Sequence, residues 1–233
     1  MKTLFITGGA KRIGREIVLK FAREGFDICF TYLKSEKEAF KTKEDVESIG
    51  RKCVILKGDL RDLNTILKWR DQFFKEFEKC DCLINNAALF YKGNLKELTE
   101  KDFDEIMSVN LKAPLFISKY FSEKMKEGVI INIADVAGKV LWKDYLIYSL
   151  SKASLIALTK ILAKELAPSI RVCAIAPGVI LIDSPQKEKA LKKVPLKKMG
   201  NPEDIAEACF FIYKNNYITG TVLYIDGGRS IYG

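Results

Sequence analysis

Apolar and polar positions divide the chain into two alternating kinds of segment. Short runs that are apolar at nearly every position lie at residues 3–7, 26–32, 53–56, 82–85, 129–133, 172–176 and 222–225. Apolar runs of this length without alternation predict strands buried on both faces of a parallel sheet. The stretches between them predict helices: an amphipathic one from the glycine turn after Thr7 through Glu24, a charged one from about 35 to 49, then 63–77, 99–126 and 145–167. A lysine-rich loop follows the sixth run, and a further helix starts after Pro202. Right-handed crossovers turn this order into a doubly wound α/β fold, a seven-stranded parallel sheet with helices on both faces. Ligands of such sheets sit at the C-terminal ends of the strands. With no linker, repeat or low-complexity segment, residues 1–233 read as a single domain.

Composition narrows the chemistry. The chain is 48% hydrophobic and 30% charged, suited to one large core. The first seven residues read as a strand rather than as a signal peptide. No apolar run reaches the roughly 18 residues of a membrane helix, so a cytoplasmic protein is expected, with no membrane partner. The six cysteines, at 29, 53, 80, 82, 173 and 209, lie mostly in apolar runs and form no CxxC pair, which predicts reduced core thiols. Histidine is absent. That excludes Ser-His-Asp and Cys-His nucleophiles and histidine-ligated zinc, so no metal site is expected and acid–base work falls to Tyr, Lys, Asp, Glu or Arg. The net charge is +9, yet most lysines alternate with glutamates as on a solvated surface, and no nucleic-acid motif accompanies them. The exception is 186–198, with six lysines and one glutamate.

The first strand runs into Thr7-Gly8-Gly9-Ala10-Lys11-Arg12-Ile13-Gly14, which opens the first helix. Glycines there permit a tight turn and let backbone N–H groups approach a pyrophosphate at the helix N-terminus. The second strand ends in Thr31-Tyr32-Leu33-Lys34-Ser35, without the acid that commonly binds a ribose 2′-hydroxyl. Asp27 lies at its wrong end and Glu36 comes late. Lys11, Lys34 and Ser35 suit a 2′-phosphate instead, so NADPH is the expected cofactor. Tyr148 and Lys152 are four apart and share a helix face. A nearby ammonium favours the phenolate, so the tyrosine pKa is expected to fall from its ordinary value of about 10.

These motifs resemble, in order, those of the short-chain dehydrogenase/reductase family. The turn resembles its TGxxxGxG, with Arg12 where the middle glycine usually stands. Asp59-Leu60 resembles its adenine-binding acid and neighbour, Asn85-Asn86-Ala87-Ala88 its NNAG turn, and Asn110 its structural and catalytic asparagine. Tyr148-Ser149-Leu150-Ser151-Lys152 is its YxxxK; Pro177-Gly178 and Asp226-Gly227-Gly228 complete the set. The resemblance spans the whole chain. It implies a Rossmann-type NAD(P)-binding oxidoreductase and a homotetramer. It further implies a cofactor held by Gly8, Lys11, Arg12, Ile13, Gly14, Lys34, Ser35, Asp59, Leu60, Asn86, Ala87, Tyr148, Lys152, Pro177 and Gly178. Tyr148 is then the proton donor, Lys152 also holds the nicotinamide ribose, and Asn110 supports Lys152 through a water. Two positions depart from the pattern: Ala88 replaces the last glycine of NNAG, and Val179-Ile180-Leu181 replaces the Thr or Ser after Pro-Gly.

Most of the family carries a serine 13 residues before the tyrosine; here that position is Asp135. In this the chain is similar to pteridine and dihydromonapterin reductases, which also carry arginine in the glycine turn. An aromatic after their NNA turn stacks on the pterin, and Phe90 stands at that spacing. Residues 193–196 and 217–221 resemble segments of those reductases as well. The implied site joins Phe90, Arg12, Asp135 and Tyr148 around a flat heterocycle between Phe90 and the nicotinamide. Two rivals remain. A 3-oxoacyl-acyl-carrier-protein reductase shares fold, NADPH and Tyr-Lys pair, and its acidic partner would suit the lysines at 187, 189, 192, 193, 197 and 198. Asp135 argues against it, because an anion opposes the charge developing on a carbonyl oxygen. A non-catalytic NADPH-binding regulator usually loses the tyrosine or lysine, and both are kept here.

Overall fold

A computed structural model describes residues 1–180 and 187–231. Its strands are β1 (Lys2–Ile6), β2 (Phe26–Tyr32), β3 (Cys53–Lys57), β4 (Cys82–Asn85), β5 (Gly128–Ile133), β6 (Ile170–Pro177) and β7 (Val222–Ile225). The helices are α1 (Arg12–Arg23), α2 (Glu36–Ser48), α3 (Leu63–Glu76), α4 (Glu100–Met107), α5 (Ala113–Ser122), α6 (Ala137–Val140), α7 (Leu146–Glu165), α8 (Lys187–Lys192) and α9 (Pro202–Lys214). All strands pair parallel in the order β3-β2-β1-β4-β5-β6-β7. The chain winds outwards from β1 to β3, then returns to add β4 on the other side of β1. That reversal opens a crevice above the C-terminal ends of β1 and β4.

The runs of β1, β2, β4, β5 and β6 form inner strands with both faces covered, while the edge strand β7 is only half-buried. Leu4 and Ile6 pack with Ile28, Phe30, Ile84 and Ile131 beneath α1 and α9. Phe5 points the other way, into Cys29, Leu83, Ile130, Phe73 and Phe121, on the side of α3 and α5. Successive side chains alternate between two cores, so continuous hydrophobicity is required. Each fully buried aliphatic or phenyl side chain contributes roughly 1.5–3 kcal/mol. The six cysteines are buried free thiols, and burial pushes the Cys53 thiol up to about 12.

Three elements differ from the sequence expectation. The helix expected over 99–126 is broken into α4, a π turn (Ser108–Lys112) and α5. Its apolar spacing continues through the turn, so periodicity does not reveal the extra residue. Part of the expected lysine-rich loop is helical, as α8, while Leu181 and Gln186 lie outside the described residues. Short α6 was not expected; it ends at Leu141, which adopts a left-handed backbone with φ 58°. Among the described helices, α7 alone is long and apolar enough to cross a membrane by length and composition, but it carries Tyr148 and Lys152 on a buried face.

Candidate active site

The turn after β1 is shaped for close backbone approach. Gly8 has φ +69°, and a Cβ on Gly14 would stand 2.0 Å from the Gly8 carbonyl oxygen. Asn86, after β4, clamps the turn by donating its amide to the Thr7 and Gly8 carbonyls at 2.9 and 3.1 Å. Thr7 Oγ1 accepts in return from the Asn86 and Ala87 N–H groups, at 3.0 and 3.1 Å. Arg12 stands in the left-handed region at φ 54°, a conformation that costs a non-glycine residue about 1–2 kcal/mol. Glycine would hold it more cheaply, which is the physical sense of the usual glycine at that position. Helix α1 starts with no side-chain cap and no acid in its first turn, while Lys11 and Arg12 are exposed beside it. Ile13 packs into the core beneath. Free N–H groups, an aligned helix dipole and flanking cations fit a dinucleotide pyrophosphate.

At the adenosine end, Lys34 is exposed and Ser35 begins α2. Glu36 is occupied by Lys57 at 3.1 Å and by the Tyr32 hydroxyl at 3.2 Å. Asp27 pairs with Arg51 at 2.7 Å at the opposite end of β2. Leu60 is buried beside Asp59. The Asp59 carboxylate is held by Arg61, with Nη2 at 2.6 Å, which keeps its pKa below the ordinary value. Arg61 also reaches Glu105 at 3.5 Å, which accepts from Tyr91. Pro177 and Gly178 close the other side: the Val136 N–H donates to the Pro177 carbonyl at 3.1 Å, and the Gly178 N–H to Ile225 at 2.9 Å. The Val179 main-chain carbonyl accepts from the Gly200 N–H at 3.0 Å.

Helix α7 and strand β5 bring the chemical groups together. Tyr148 Oη donates to Asp135 Oδ2 at 2.9 Å, and Lys152 Nζ donates to the Ile133 carbonyl at 2.8 Å. Tyr148 and Lys152 are almost wholly enclosed, and Asp135 is half-buried. Burial raises Asp135 to about 6, against the opposing pull of the Ala137 N–H, Lys152 and Tyr148. Burial lowers Lys152 to about 8, partly offset by Asp135. For Tyr148 the expected direction is corrected. Burial first, then the Asp135 charge and hydrogen bond, raise the phenol well above its ordinary value. The ammonium does not win, because its hydrogen bond goes to Ile133 and its nitrogen lies 5.8 Å from the tyrosine ring centroid.

Asn110 sits in the π turn, a geometry that recurs at functional sites. Its amide pairs with both main-chain groups of Leu89, at 2.8 and 3.0 Å, and donates to Ser151 Oγ at 3.0 Å. Ser151 donates in turn to the Tyr148 carbonyl at 2.7 Å. The asparagine side chain therefore ties the loop after β4 to helix α7. That loop carries Phe90. Its ring is 56% exposed, so it is not core. It stands edge-on to Tyr148 at 4.7 Å and stacks on Tyr145 at 4.9 Å with 13° between planes. Tyr145 and Ser151 were not singled out from the sequence. Tyr145, three residues before Tyr148 on the same helical turn, is the signal that was available.

The family model described as "Enoyl-(Acyl carrier protein) reductase" matches residues 8–230. The chain belongs to the short-chain dehydrogenase/reductase family, and it is an oxidoreductase. It is 35% identical to an uncharacterised oxidoreductase of Thermotoga maritima, over 98% of this chain and 97% of that one. It is 30% identical to a 3-oxoacyl-[acyl-carrier-protein] reductase of Staphylococcus aureus, over 97% of both. Among solved structures, the Serratia marcescens short-chain dehydrogenase/reductase superposes with a TM-score of 0.95 at 30% identity, covering 98% of each chain. The FolM alternative dihydrofolate reductase of Brucella canis, solved with NADP, gives 0.92 at 29% identity, covering 100% of this chain and 95% of that one.

Proposed function

We propose that the protein is an NADPH-dependent reductase of a pterin-like heterocycle, acting on a C=N bond. The observation that carries this reading is the pairing of Asp135 with Tyr148 at 2.9 Å beneath the exposed Phe90 ring. NADP(H) is the cofactor. When bound, it supplies the hydride to the carbon of the C=N bond. Tyr148 holds the proton for the nitrogen, or orients a water together with Arg12. Asp135 fixes the hydroxyl rotamer and can accept from an exocyclic amino group of the ring. Phe90, backed by Tyr145, offers one face for stacking. Lys152 orients the cofactor ribose, and Asn110 holds the Phe90 loop against α7. Lys11, Lys34 and Ser35 meet the 2′-phosphate, Asp59 and Leu60 the adenine, and Gly8 through Gly14 with Asn86, Ala87, Pro177 and Gly178 the rest of the dinucleotide. The Brucella protein, solved with NADP and named for dihydrofolate reduction, is a parallel for the same chemistry.

The rival with specific support is 3-oxoacyl-acyl-carrier-protein reduction, given the 30% identity to the Staphylococcus enzyme. Asp135 weighs against it, since a carboxylate beside an incipient alkoxide is repulsive. A homotetramer accords with the exposed apolar side chains Leu115 on α5 and Leu150 and Ile161 on α7. NADPH oxidation measured with a dihydropterin panel and an acyl-thioester panel tests the reading. Turnover of pterins above thioesters is expected; thioester turnover alone would overturn it.

A further inference from the structure

We infer that the substrate carries a chain of carboxylates, as in an oligo-glutamate conjugate of a pterin, and that the lysine-rich segment 187–198 receives this tail. The inference rests on the pterin reading above and names the substrate class within it.

The segment lies at the active-site end of the sheet. The Leu196 N–H donates to the Gly227 carbonyl at 3.1 Å, just beyond β7. A Cβ on Gly227 would meet the Val194 side chain at 2.8 Å, so the segment packs directly on that glycine. Beside β7, the Gly178 N–H reaches Ile225, and Pro177 accepts from Val136, the residue next to Asp135. A short series of main-chain contacts thus links the segment to the catalytic floor.

Its charge is uncompensated. Lys192, Lys193, Lys197 and Lys198 are exposed, and among the described residues no carboxylate forms an ion pair with any of them. Ion pairs elsewhere involve Lys20, Lys43, Lys52, Lys57 and Lys79, while other exposed lysines such as Lys37 and Lys41 form none among the described residues, so what sets this segment apart is the crowding of six lysines within 187–198. Asp226 accepts from Gly228 and Ser230 and Asp204 from Asn201, which leaves the exposed Glu188 as the one acid within the segment itself. Lys197 is fixed by a bond from its ammonium to the Lys192 carbonyl at 3.0 Å. An unpaired row of cations beside a catalytic crevice draws an anion.

The size of the patch favours a tail over an acidic protein. A stable protein partner covers about 800 Å² per side around a desolvated apolar centre. In this segment the exposed large apolar residue is Leu196 alone, among the described side chains. A flexible tail with one carboxylate per unit needs only cations in sequence.

The test compares a tail-less dihydropterin, dihydrofolate with one glutamate, and its triglutamate, each with NADPH, at low and high salt. For the wild type at low salt, kcat/KM is expected to rise about tenfold from tail-less to triglutamate, the sum of a few exposed charge pairs. The advantage should vanish at high salt and in the variant Lys192→Gln/Lys193→Gln/Lys198→Gln. Free oligo-γ-glutamate should inhibit competitively against the triglutamate and leave tail-less turnover untouched, a readout that does not depend on the variant folding. Turnover of the tail-less pterin with no tail dependence would overturn the inference while sparing the pterin reading. Failure of every pterin would overturn both. A loss in the variant confined to acyl-carrier-protein thioesters would overturn the inference in favour of an acidic protein partner.

Discussion

Tyr148 sits between two groups that pull its proton in opposite directions. Lys152 favours the phenolate, while Asp135 accepts the hydroxyl hydrogen and repels a second negative charge. Burial sides with Asp135, and the phenol stays protonated. Tyr148→Phe removes the proposed proton donor and leaves the cofactor turn untouched. Turnover is expected to fall at least 100-fold, within the range general acids contribute, with NADPH affinity retained; stopped-flow turnover and fluorescence titration read the two quantities. Asp135→Asn tests the electrostatics. Burial still raises Tyr148, but removing the anion withdraws the second influence that raises it and the one that raises Lys152, so both fall. The alkaline limb of kcat/KM is then expected at lower pH than in the wild type; an unmoved limb would remove Asp135 from the balance. Phe90→Ala should cost several-fold to tens-fold in pterin kcat/KM, since stacking contributes about 0.5–1.5 kcal/mol beyond burial. Because the ring is exposed, the melting temperature should hardly change. At this scale, spacing and family resemblance pointed to Tyr148, Lys152, Asp135 and Phe90. The sign of the tyrosine shift was not legible, because it depends on which neighbour is closer and how much water is excluded. Ser151 was hidden for a similar reason: a serine inside YxxxK says nothing of an asparagine forty-one residues earlier.

The elements contribute ends and interruptions rather than regular middles. In the proposed cofactor site the uncapped start of α1 offers its N–H groups to a phosphate, and Lys34 stands two residues beyond β2. Lys34→Asp replaces an attraction for the 2′-phosphate with a repulsion. The ratio of kcat/KM for NADPH over NADH is expected to fall by about tenfold or more, since one charge-assisted contact is worth roughly 1.5–3 kcal/mol. An unchanged ratio would move phosphate recognition to other residues. The strand–helix order was readable because the runs at 26–32 and 222–225 are apolar on both faces and flanked by turn residues. The π turn at Asn110 was not, because one inserted residue leaves the apolar spacing of 99–126 almost intact. Its consequence is local: it turns the Asn110 amide onto Leu89 and so fixes the loop that bears Phe90.

Across the whole molecule, the reversal of strand order between β1 and β4 sets the crevice where the glycine turn, the Asn86 clamp and the Asp135–Tyr148 pair converge. A parallel doubly wound sheet was implied by the alternation of apolar runs and helices, but the order of strands was not; that follows from crossover direction, which the sequence does not write down. The net charge of +9 and the crowding of six lysines into 186–198 were both legible; the position of that segment beside the end of β7 was not. The central claim is hydride transfer to a pterin ring carbon with Tyr148 supplying the proton. NADPH deuterated at its transferable position, incubated with a dihydropterin and with a 3-oxoacyl thioester in the same vessel, tests it most directly by mass spectrometry of both products. The account expects deuterium on the ring carbon of the reduced pterin, far less of it in Tyr148→Phe, and little in the acyl product. Deuterium on the acyl hydroxyl carbon, with the pterin unlabelled, would contradict it.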